Sequence, residues 1–271
     1  MRILSVILFL IITNLSFGQL PKIKGNWISE NNEMISIKDT LKSENYITNS
    51  SLKSENFYLS LNKEVISFQS RYFYSGDMKK MYTDKYDLQV LEINDSIMVV
   101  KPSTKKSISF FDKSTPIKFV KQEYIKDHDL NFEKIIFHAS TCYGSCPKIS
   151  LEILSNLDIK ISSEFFKNGN EFEKDENRSG NFYGKLDSQT FEKLKKLIIQ
   201  SKLTSYNINP SKLLLCCDGA VKTIIFYNNG KRNYTKAMFE PRLLSELIAF
   251  LYEIDTKVNL NKTKETFKFE E

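Results

Sequence analysis

Apolar and polar residues alternate with period two through most of the first half of the chain. Residues 55–61 (ENFYLSL), 63–69 (KEVISFQ) and 87–93 (DLQVLEI) each place their apolar side chains on one face, the pattern of half-buried strands. Asn94-Asp95-Ser96 then turns the chain into residues 97–100, and further strands are predicted over 106–111 and 117–120. No helical period interrupts this run. Residues 19–124 therefore predict a small antiparallel β-barrel or sandwich. Residues 121–130 are polar and charged and read as a linker.

The second half, residues 131–257, mixes periods and predicts an α+β domain with two hairpins and two helices. Strands are expected over 134–139, 148–154, 157–165 and 182–186, with Ser155-Asn156 as a hairpin turn. Phe191, Leu194, Leu197 and Ile198 then fall on one face of a helix that Asp187 or Ser188 can cap. Strands over 221–227 and 231–235 flank Asn229-Gly230, the strongest hairpin signal in the chain. A last helix opens at Glu240-Pro241, with Leu244, Leu247, Ile248, Leu251 and Ile254 as its apolar stripe. Residues 258–271 read as a polar, frayed tail. The whole is mainly β with an α+β second half.

The first 18 residues follow a different rule. Arg2 supplies a positive charge, residues 3–12 are apolar apart from Ser5, and Ser16 and Gly18 place small residues before a cut at Gln19. That is the three-part pattern of a secretory signal peptide. A membrane span needs roughly 20 apolar residues, and Asn14 ends this run early. The expectation is an exported protein, periplasmic or secreted, with no membrane span after cleavage.

Charge adds little. The net charge is +6, but the 39 Lys and Arg are interleaved with 33 Asp and Glu. No basic block with interleaved aromatics is present, which argues against nucleic-acid binding. No H-E-x-x-H, G-x-S-x-G, phosphate loop or dinucleotide fingerprint occurs. The two histidines are His128, in the linker, and His138, in a strand pattern. No cofactor is implied.

Candidate chemistry lies at four cysteines: Cys142, Cys146, Cys216 and Cys217. In an exported chain an even number reads first as disulfides. Gly144 lets the segment between Cys142 and Cys146 turn tightly, and Pro147 stops it continuing as helix. These features favour a local Cys142–Cys146 bridge. Zinc at His138, Cys142 and Cys146 is the metal alternative. A thiol redox activity is a third reading, opposed by the C-x-x-x-C spacing. Asp218, beside Gly219, reads as a turn residue rather than a general base.

Two resemblances extend this. Thr141-Cys142-Tyr143-Gly144-Ser145-Cys146-Pro147, Gly180-Asn181-Phe182-Tyr183-Gly184 and the lone Asp218 resemble domain-of-unknown-function family 6438. Ile149 stands where that family usually carries Tyr. The resemblance implies a domain boundary and the motif Gly144, Pro147, Asp218, not an activity. Lys24-Gly25-Asn26-Trp27 is similar to the opening of lipocalin-like barrels, which implies a small apolar ligand in the first domain; the other reading makes Trp27 a core residue. The sequence thus predicts a non-enzymatic binding or structural module of the envelope, with a thiol- or metal-dependent activity around Cys142 and Cys146 as the alternative.

Overall fold

The alternation of the first half closes into a barrel. The computed structural model describes residues 22–39, 42, 44–49, 54–127, 129–167, 173–205 and 218–271. The predicted signal, His128, Cys216 and Cys217 lie outside them. Contacts divide the chain into two units, Met1–Ile125 and Lys126–Glu271.

In the first unit, eight strands pair antiparallel in sequence order. They are β1 (Gly25–Ser29), β2 (Met34–Ile37), β3 (Asn45–Thr48), β4 (Ser54–Asn62), β5 (Val65–Tyr74), β6 (Asp77–Ile93), β7 (Ile97–Pro102) and β8 (Ile117–Lys121). β8 returns to β1 through Trp27↔Lys121, Ile28↔Val120 and Ser29↔Phe119, so the sheet has no free edge. Of the two architectures expected, the barrel is the one formed. It fits into so short a segment because β1, β2 and β3 have only four or five residues each.

Inward positions fill the interior with side chains. Trp27, Ile47, Phe57, Phe68, Leu88 and Phe119 are fully buried in one cluster. Phe57 meets Phe68 and Tyr86 edge to face at 5.8 and 5.0 Å. The Trp27 Nε1–H donates to the Ile23 carbonyl at 2.7 Å, satisfying the one polar atom of the largest core side chain.

The strand expected over 106–111 is instead a helix, α1 (Lys105–Phe111). Thr104 and Ser107 form a reciprocal capping box, and Asp112 ends the helix in a left-handed conformation. Phe110 and Phe111 from its last turn join the barrel core. The expected linker also starts later than predicted: Lys121 pairs in β8, and Gln122–Tyr124 form a 3-10 turn.

The second unit is a seven-stranded antiparallel sheet in the order β14-β13-β9-β10-β11-β12-β15. These are β9 (Phe132–Ala139), β10 (Lys148–Leu154), β11 (Asp158–Glu164), β12 (Gly180–Lys185), β13 (Lys222–Asn228), β14 (Lys231–Ala237) and β15 (Leu260–Thr263). The β10–β11 and β13–β14 hairpins are as expected. Asn229 and Gly230 both take positive φ, 52° and 70°, as a tight hairpin turn demands. Helix α2 (Ser188–Gln200) is capped by the Asp187 carboxylate, which accepts from the Thr190 backbone N–H at 2.7 Å. Helix α3 (Ser245–Tyr252) follows Pro241 and a 3-10 turn over Arg242–Leu244. The helices pack on the Phe132 and Phe137 side of β9: Phe132 meets Phe191 and Phe137 meets Tyr252 edge to face.

The frayed tail expected over 258–271 is not frayed. β15 pairs with β12 from Gly184↔Leu260 to Asn181↔Thr263. Beyond it, Phe269 packs against His138, and the Lys160 ammonium lies over Phe267. The tail thereby crosses the sheet face opposite the helices. Backbone pairing and a few charged contacts hold it, which is why a polar sequence carried no signal of order.

Candidate functional site

The cysteine motif is the loop between β9 and β10. Two backbone–backbone hydrogen bonds and one to a side-chain hydroxyl tie it to the segment entering β13. Ser140 N–H donates to the Val221 carbonyl at 3.0 Å, and Val221 N–H returns to Ser140 Oγ at 2.9 Å. Tyr143 N–H donates to the Asp218 carbonyl at 3.3 Å. The sulfurs of Cys142 and Cys146 stand 1.96 Å apart, at disulfide distance, with their Cα atoms 5.5 Å apart. Gly144 takes φ 129°, a conformation that side chains other than hydrogen rarely allow. Pro147 then leads directly into β10.

This arrangement pushes Tyr143 outward; it is 90% exposed. Phe239, 66% exposed, follows the C-terminal end of β14 at the same end of the sheet. Its segment is held by the Lys222 ammonium, which reaches the Met238 carbonyl at 2.9 Å and Glu240 at 2.7 Å. The corner therefore presents two aromatic side chains on braced backbone.

The three candidate metal ligands are otherwise engaged in this geometry. The His138 Nε2 lies 2.7 Å from the Glu270 carbonyl oxygen, and its Nδ1 lies 2.9 Å from Ser150 Oγ. A carbonyl can only accept, so Nε2 carries the hydrogen; in the neutral ring Nδ1 accepts from the serine hydroxyl. Among the described residues no group of three or more His, Cys, Asp or Glu is arranged to hold a metal ion. Asp218 contributes its backbone carbonyl to the corner.

Sequence reasoning missed two charged clusters. Glu270 accepts from the Tyr227 hydroxyl at 2.7 Å and the Arg232 Nε at 2.8 Å, with Lys134 at 3.1 Å. Arg232, then Tyr227 and Lys134, hold its carboxyl down to about 2. Arg178 makes a two-pronged contact to Asp255 at 2.7 and 2.9 Å and lies 3.8 Å over Phe165. Both link residues 77 or more apart, or a tail to a strand, and no local pattern encodes them. Tyr252 is pushed up to about 12 by burial and stays a neutral phenol. In the motif Gly180–Gly184, the last glycine has a packing reason: a Cβ there would meet the Asn259 carbonyl at 2.6 Å, where the chain approaches β12.

The expected family likeness of the second half is borne out: residues 133–256 match the model of the family described as Domain of unknown function (DUF6438). No curated protein and no solved structure matches the chain. The eight-stranded antiparallel barrel of the first unit is consistent with a lipocalin-like barrel. Among the described residues no helix is long and apolar enough to cross a membrane.

Proposed function

We propose that this is an exported, non-enzymatic binding module, periplasmic or secreted, whose binding surface is the corner around Tyr143 and Phe239. One observation carries the reading. The loop is pinned by the Cys142–Cys146 sulfurs and the Asp218 carbonyl, yet it displays Tyr143 almost fully to solvent. Rigid exposed aromatics are effective anchors, because they bury much area at little entropic cost. A sulfur pair at bonding distance also suits an oxidising space, in keeping with the apolar run over residues 3–12. The side chains inside the barrel pack on one another, which supports a surface rather than a lumen as the binding region.

The thiol- or metal-dependent alternative separates cleanly. In the binding reading, replacing Cys142 and Cys146 with Ser costs about 2 kcal/mol, the entropy of a five-residue loop. Tyr143→Ala then leaves the melt unchanged. Purified from an oxidising compartment, the protein should show no free thiol at either position and no stoichiometric metal. Reductase turnover that a single Cys142→Ser change abolishes without moving the melt would defeat the proposal. So would unfolding by a chelator alone.

A further inference from the structure

β5 and β6 run on past the barrel as a two-stranded ribbon. The pair Phe68↔Tyr86 is the last one buried in the barrel core. Beyond it the register continues through Arg71↔Thr83, Tyr72↔Tyr82 and Phe73↔Met81, to a turn at Ser75-Gly76. Residues 71–76 and 78–81 are all exposed. Half of the exposed large hydrophobic side chains among the described residues fall here: Tyr72, Phe73, Tyr74, Met78 and Met81. Such a concentration marks an interaction surface rather than scattered exposure.

We infer that this ribbon docks the protein onto an anionic lipid surface. Directly opposed residues share a face of an antiparallel pair. Tyr72 and Tyr82 stack at 5.9 Å on the face that continues the barrel interior, and Phe73 and Met81 occupy the other. Apolar side chains on both faces and near the turn cannot all be covered by one flat or grooved protein surface. The headgroup–acyl boundary of a bilayer surrounds an inserted ribbon on every side. At 3.3 Å per residue, the ribbon from Arg71 to the turn is about 13 Å long, enough to reach the roughly 5–10 Å depth of that boundary.

The charge agrees. Arg71, Lys79 and Lys80 stand among these side chains against one carboxylate, Asp77. Asp84, nearer the barrel, is paired with Lys106 at 2.6 Å. Arg71 lies over the Tyr58 ring and the Lys80 ammonium over Tyr82. Tyrosines flanked by a few cations suit a membrane interface, where Tyr is enriched and each Lys or Arg adds attraction to anionic headgroups. The surface is independent of the Cys142–Cys146 corner, so either reading can fail without the other.

Flotation of the full chain with vesicles tests this, using phosphatidylcholine with and without 30% phosphatidylglycerol (about one anionic lipid in three). Binding should require the anionic lipid and fall steeply between low and high salt. F73S/M81S should lower partitioning about tenfold or more, the loss expected when two half-inserted apolar side chains are removed. K79E/K80E should do the same on anionic vesicles only. Both variants change exposed residues, and an unchanged melt confirms that the barrel is intact. No anionic-vesicle binding at low salt, or binding that F73S/M81S leaves as it was, overturns the inference. So does retention on an acidic polypeptide such as polyglutamate without any on vesicles.

Discussion

Replacing Glu270 with Gln probes the order of the tail directly. The carboxylate holds three partners on the open sheet face: Arg232, Tyr227 and Lys134. Its pKa is lowered to about 2 from an ordinary 4.5. A full shift of that size corresponds to about 3 kcal/mol. The side chain is 31% exposed, however, so solvent and salt screen much of it, and about 1 kcal/mol is the fair expectation. The sign follows from the depressed value. The stabilisation is present above pH 4.5, where the unfolded carboxyl is also ionised, and is lost as pH falls toward 2. Urea melts of both proteins at pH 7, 4 and 3 read this out. E270Q should be less stable by about 1 kcal/mol at pH 7, and the gap should shrink by more than half at pH 3. No gap at pH 7, or one that does not change with pH, would refute the ionic strap.

Other substitutions test other parts of the account. Gly184→Ala places a methyl group against the Asn259 carbonyl; a cost of about 1–3 kcal/mol and faster amide exchange over Leu260–Thr263 are expected, and wild-type exchange there would contradict the packing reason for the glycine. Arg178→Lys keeps the charge but loses the two-pronged contact to Asp255 and the stacking on Phe165; about 1 kcal/mol should be lost in a thermal melt, and no loss would make the pair incidental. Trp27→Phe leaves the Ile23 carbonyl without its buried donor; a cost of about 2 kcal/mol is expected, and a neutral result would mean water replaces the indole.

The legible parts of the fold were those where one strand face is buried. Period-two runs over residues 55–61 and 87–93 became β4 and part of β6, and Asn229-Gly230 turned the predicted hairpin. The motif loop was legible too, because Gly144 and Pro147 constrain the backbone locally. Helix α1 was misread because seven residues are too few to show a helical period; its true signal was the Thr104–Ser107 box and the Asp112 cap. The first half of β6 was invisible because its side chains are exposed on both faces, and its pairing with β5 alone makes it a strand. β15 was missed for a related reason: its order comes from backbone pairing to β12 and the absence of a side chain at Gly184. The corner itself needs contacts across 75 residues, from Tyr143 to Asp218, that no local reading provides.

Mass spectrometry of the protein from its native host, under non-reducing conditions, tests the central claim most directly. The account predicts an N-terminus at Gln19 and a peptide in which Cys142 is joined to Cys146, braced as the loop that displays Tyr143. A free thiol at Cys142 or Cys146, a cross-link from either to Cys216 or Cys217, or a chain still beginning at Met1 would contradict it.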